Sequence, residues 1–130
     1  MWGCSGFSPE VQKDDGSQVE ETEERALGLY ESMVDVFEED TPGIDRATEE
    51  TLTVVSHYEP VDEERRRRYV GRIVPLRGGI GVRITAEYQT ESQEADSGWE
   101  DQPRGAVEAE AGPEELSLAR SVERRYYSGD

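Results

Sequence analysis

Arg65-Arg66-Arg67-Arg68-Tyr69-Val70-Gly71-Arg72-Ile73-Val74-Pro75-Leu76-Arg77-Gly78-Gly79-Ile80, continued by the alternating residues up to Tyr88, reads as one β-hairpin. A two-residue turn at Gly78-Gly79 sets Arg77 against Ile80, and the remaining pairs follow from that register. Ile73 then faces Ile84, Gly71 faces Ala86 and Tyr69 faces Tyr88, all on one apolar side. On the other side Arg72 meets Thr85, Val70 meets Glu87, and Arg66 meets Glu91. A slip of one residue would turn the isoleucines and tyrosines to water, so the apolar pattern fixes which side is inward.

The same stretch invites two chemical readings. Arg77-Gly78-Gly79-Ile80-Gly81 has the look of a phosphate-binding glycine loop. It lacks the Lys-Ser/Thr pair of a P-loop, however, and a strand follows it where the nucleotide motifs require a helix. Arg65 to Arg68 has the look of a nucleic-acid patch. In a strand, alternate arginines point to opposite faces, and Glu63, Glu64, Glu87 and Glu91 are close enough in the pairing to neutralise them. The expectation is an ion-pair patch of Arg66, Arg68, Arg72, Glu87 and Glu91 rather than a polyanion site.

Composition points the same way. The formal net charge of the 130-residue chain is −17, with 33% hydrophobic and 35% charged residues. A nucleic acid or an anionic lipid surface would be repelled by that charge at range. Lys13 is the only lysine, and Cys4 the only cysteine, so neither an intramolecular disulfide nor a cysteine-based metal cluster is available. His57 is the only histidine and has no second one with which to share a metal. No cofactor and no metal is implied. No apolar run reaches the roughly 18 residues of a membrane span.

Working outward, residues 1–19 read as a flexible arm and 20–127 as a single domain. Leu27, Tyr30, Val34 and Phe37 recur at helical spacing between Glu20 and Glu38, and Thr41-Pro42-Gly43 stops that helix. Thr51 to Tyr58 is rich in strand formers, and Ile44-Asp45-Arg46 suits a short strand paired with it. A polar loop spans about 90–111, with Trp99 its one bulky residue and Ala106-Val107-Glu108-Ala109 a possible short edge strand. A closing helix starts at Gly112-Pro113, where Pro113 suits the first helical position. Leu118, Val122 and Tyr126 share a side of that helix.

The fold expected is α+β: a small antiparallel sheet of three or four strands, built on a central hairpin at about 66–75 and 80–89, with an N-terminal and a C-terminal helix packed on one face. Tyr69, Ile73, Gly78, Gly79, Ile84 and Tyr88 are its structural hairpin residues. Gly3-Cys4 is similar to the end of a bacterial lipoprotein signal, although the charged and apolar regions that precede the cysteine in such signals are missing. The polar stretch from Ser5 to Glu24 would suit a tether after a lipidated Cys4.

Taken together, Ile44-Asp45-Arg46, Arg65-Arg66-Arg67-Arg68-Tyr69-Val70, Gly78-Gly79 and Glu115-Leu116-Ser117-Leu118 resemble the pattern of the small α+β domains of bacterial envelope lipoproteins, including the BamC-like domains of outer-membrane assembly. The resemblance implies a non-catalytic module, anchored in the cell envelope only through lipid on Cys4, with other envelope proteins as partners. The alternative is a soluble, acidic cytoplasmic adaptor of a salt-adapted organism, with Cys4 unmodified. An enzyme would have to draw its acid and base from scattered carboxylates such as Glu49, Glu50, Asp62 and Glu63, and no pattern gathers them.

Overall fold

A computed structural model describes residues 16–77 and 79–128; Cys4 and Gly78 lie outside the described residues. The elements run α1 (Gly16–Asp40), β1 (Ile44–Thr48), a 3-10 turn (Glu49–Thr51), β2 (Thr53–Ser56), β3 (Glu59–Pro60), β4 (Arg65–Leu76), β5 (Gly79–Glu91), β6 (Trp99–Asp101) and α2 (Arg104–Tyr127). The strands form one antiparallel sheet in the order β1-β2-β4-β5-β6, with β3 added on β4. The chain is therefore α+β. Its sheet has six strands rather than three or four, because β3 and β6 are only two and three residues long and carry no alternation to read.

The β4–β5 hairpin is the centre of this sheet, and its register differs from the expectation. Leu76 pairs with Gly79, so Ile73 faces Val82, Gly71 faces Ile84, Tyr69 faces Ala86 and Arg67 faces Tyr88. The ladder has moved by two residues. Such a move keeps each side chain on its face, so Tyr69, Gly71, Ile73, Ile84, Ala86 and Tyr88 are all buried. Between β1 and β2 the chain turns on Leu52, a non-glycine residue at φ 52°. That left-handed conformation delays the strand to Thr53, while the Leu52 carbonyl still accepts the Ile73 amide at 3.1 Å. Where β2 ends, the buried Ser56 continues the ladder with its side chain, its Oγ accepting the Tyr69 amide at 2.8 Å.

One apolar cluster joins both helices to the sheet. From α1 come Leu29, Tyr30, Met33, Val36 and Phe37; from α2 come Val107, Ala111, Leu118 and Val122. Two sequence expectations need correction here. Leu27 is 41% exposed, and Leu29 takes its place on the inward stripe. The closing helix begins at Arg104 rather than Gly112, so residues 104–111 are helical and Ala106–Ala109 is not a strand. Pro113 lies inside α2 and withholds the amide that would bond the carbonyl of Ala109. Both residues are exposed, which leaves water to take that carbonyl. The buried positions 107, 111, 118 and 122 keep helical spacing across the proline, and their packing outweighs the lost bond.

Candidate interaction surface

The four consecutive arginines fan out to the two faces of β4. On the helix side, Arg65 donates to Asp62 Oδ2 at 2.7 Å and reaches Glu110 of α2 at 2.9 Å. Arg67 lies between the rings of Tyr69 and Tyr88, at 5.1 and 5.8 Å, and donates to Glu59 at 3.2 Å. On the open face, the Arg66 guanidinium is held between Tyr58 and Trp99, 4.0 and 4.1 Å from their centroids. Its Nε donates to Gln89 Oε1, and Gln89 in turn donates to Asp101 of β6. Trp99 thus closes the end of the sheet over an arginine, in β6 rather than in a loop. Arg68 pairs with Glu87 at 2.8 Å.

Among the expected ion-pair residues, Arg68 and Glu87 come together and the others do not. Arg66 meets Gln89 because of the two-residue change of register. Glu91 stands opposite Trp99 on β6, and its amide donates to the Glu64 carbonyl. Arg72 lies directly across from Arg83, an arrangement of like charges that costs stability unless something neutralises it. Among the described residues neither has a carboxylate partner, nor do Arg77 at the turn and Arg120 on α2. The carboxylates Glu49 and Glu50 sit in the 3-10 turn, and Asp62 and Glu63 in the turn before β4, so no shared site forms. No described residues gather as three or more potential metal ligands. No described helix is long and apolar enough to cross a membrane.

Past the fan, β5 becomes an edge. β6 pairs only with Gln89 to Glu91. The Tyr88 carbonyl accepts the Gln102 amide at 2.9 Å, and the Ala86 amide donates to the Glu115 carboxylate of α2 at 2.8 Å. Beyond Ala86 this cover stops. In an antiparallel ladder alternate residues point their amides and carbonyls away from the paired strand. The outward amide of Ala86 therefore puts Ile84, Val82 and Ile80 in the same phase, and among the described residues none of the three has a partner on that side. A groove of about 290 Å³ follows this edge, lined by the apolar Leu76, Val82, Ile84 and Leu116 and by the charged Arg83 and Glu115. Leu76 and Leu116 are about half exposed, at 47% and 51%. A free strand edge beside exposed leucines is unusual in a chain so rich in charge, since edges of this kind are open to pairing.

Glu115 marks the boundary of the free edge. It also accepts both ends of the Arg104 guanidinium, one of them at 2.8 Å. Burial alone would raise its carboxyl pKa, but Arg104 and the Ala86 amide outweigh burial and hold it below the ordinary 4.5. A carboxyl depressed by folding stabilises the native state above its unfolded pKa, and that stabilisation fades as pH falls through the folded value. Glu115→Gln should therefore cost about 1 kcal/mol at neutral pH, the scale of a partly exposed charge-assisted bond. The difference from wild type should shrink steadily below pH 4.5. Urea titrations of both proteins at a series of pH values measure it, and a gap independent of pH would refute the assignment.

No family model, no curated protein and no solved structure matches the chain.

Proposed function

We propose that this chain is a non-catalytic domain that binds other proteins by adding a strand to the free edge of β5. The observation that carries the reading is the row of outward amides on Ile80, Val82 and Ile84, which have no partner among the described residues and border a groove lined by leucine, valine and isoleucine side chains with Arg83 and Glu115. An added strand draws its affinity from main-chain hydrogen bonds and its specificity from pockets for alternate side chains. Both components are present: the amides of β5, and the groove between β5 and α2. We place the domain at the cell envelope, anchored through lipid on Cys4, on the strength of the Gly3-Cys4 pair and the resemblance to envelope lipoprotein domains. The large negative charge and near-absence of lysine favour a second setting, a cytoplasmic adaptor in a salt-adapted cell.

Amide exchange of the isolated protein tests the edge. Ile80, Val82 and Ile84 should exchange many times faster than Gly81 and Arg83, whose amides face β4. Equal protection of all five would mean that the edge is already covered, and the reading would fall. Labelling cells with a radioactive fatty acid, using the gene with its natural upstream region, tests the anchor separately. Incorporation lost in Cys4→Ala supports envelope placement; its absence moves the domain to the cytoplasm.

A further inference from the structure

Resting on that reading, the geometry points to the kind of strand the edge accepts: an extended segment of a partner protein in which acidic residues alternate with apolar ones. The two sides of an added strand would meet different surroundings. Its residues on the helix side would lie against Leu116 and Ala119 of α2 and complete the wall begun by Val82 and Ile84. Its residues on the open side would lie beside Arg83, behind which Arg72 stands directly across the ladder. Arg83 is exposed and, among the described residues, has no carboxylate partner. Arg77 extends this positive region at the turn end of the edge, and Arg120 lies next to Leu116 on α2.

Elsewhere in the hairpin each arginine is held by a carboxylate or, for Arg66, by the rings of Tyr58 and Trp99 and the Gln89 amide oxygen. Arg65, Arg67 and Arg68 each hold a carboxylate, and Glu115, the acid that lines the groove, is occupied by Arg104 and the Ala86 amide. In a chain of net charge −17, Arg72, Arg83, Arg77 and Arg120 put four arginines without a carboxylate partner among the described residues around the free edge, a local concentration of positive charge. Complementary acidic residues would relieve the Arg72–Arg83 repulsion and speed encounter. A second copy of this chain fits less well. Two β5 edges related by a two-fold axis would bring like arginines together, with two strongly acidic bodies behind them.

The probes are three labelled peptides, alternating valine with glutamate, with glutamine or with lysine, titrated onto the purified protein at low and high salt. The glutamate peptide should bind at least about tenfold more tightly than the lysine peptide, and raising salt should narrow that ratio. It should protect the amides of Ile80, Val82 and Ile84 from exchange. Arg83→Glu, an exposed change that leaves the core intact, should weaken the glutamate peptide about tenfold and favour the lysine one. Val82→Pro removes an outward donor while sparing the β4 ladder, the setting in which an edge strand tolerates proline, and it should weaken every peptide. Equal binding of all three peptides, sensitive to Val82→Pro, would overturn the acidic preference and leave the edge reading standing. Binding that ignores Val82→Pro and protects no β5 amide would overturn both. Self-association lost in Val82→Pro would assign the edge to a second copy and overturn the acidic partner.

Discussion

Phe37→Ala should destabilise the protein by about 3–5 kcal/mol, the usual cost of deleting a buried phenyl ring from a well-packed core. Phe37 is fully buried on α1, and its ring tip lies over Gly71 at the middle of β4. The ring is thus a contact through which the long helix meets the central strand, beside Met33 at the same glycine. Single domains are typically stable by only about 5–15 kcal/mol, so the loss would be a large share of the total. Urea denaturation followed by circular dichroism would show the midpoint falling with the slope nearly unchanged. Leu27→Ala is the matched comparison. At 41% exposure Leu27 should cost well under about 1 kcal/mol, although the apolar spacing alone makes it a partner of Phe37. If both substitutions cost the same, the inward stripe of α1 is not the one described.

That contrast shows how the sequence is read well and where it is ambiguous. On α1, Leu27 and Leu29 both fit an apolar stripe through Tyr30, Met33 and Phe37, and only the position of the sheet selects Leu29. On the hairpin, period-two alternation identifies the inward residues from Tyr69 to Tyr88 without ambiguity. It is blind to a move of two residues, because every side chain keeps its face. The turn should have fixed the register, but Arg77-Gly78-Gly79 offers adjacent glycines and hence two closures of nearly equal quality. The two-residue difference matters little for the fold and more for the surface. It places Gln89 rather than Glu91 beside Arg66, and it sets Arg72 against Arg83.

The start of α2 was hidden for a different reason. Pro113 is a strong local signal for a first helical position, and the polar residues before it carry little apolar pattern. Val107 and Ala111 do keep phase with Leu118 and Val122, but two small residues separated by glutamates are a faint signal until the sheet beneath them is known. The free edge of β5 could not be read at all from the sequence. It depends on how short β6 is and on where Glu115 reaches across, and neither follows from periodicity.

Gly71→Val should be the most damaging single substitution on the sheet, costing about 3 kcal/mol or more, at or beyond the upper end for overpacking. A Cβ at Gly71 would lie 2.6 Å from Met33 Sδ, 2.9 Å from Phe37 Cζ and 3.1 Å from Ile84 Cδ1. All three neighbours are buried, and they approach from α1 and from the adjacent strand, so relieving one contact tightens another. Gly81 is the instructive control, since by distance alone it looks worse. A Cβ there would come within 2.2 Å of Leu76 Cδ1, but that atom ends a half-exposed side chain at the turn, which can rotate away. Gly81→Ala should therefore be nearly neutral, because the entropy lost with a strand glycine, about 0.5–1 kcal/mol, is recovered. Gly71→Ala should fall between the two, at about 1–3 kcal/mol. If the Gly71 effect comes from crowding by Met33, adding Met33→Ala should return part of the loss, giving a non-additive double-mutant cycle. Additive costs, or a Gly81 variant as unstable as the Gly71 one, would show that close packing of α1 on Gly71 is not what holds the helix against β4.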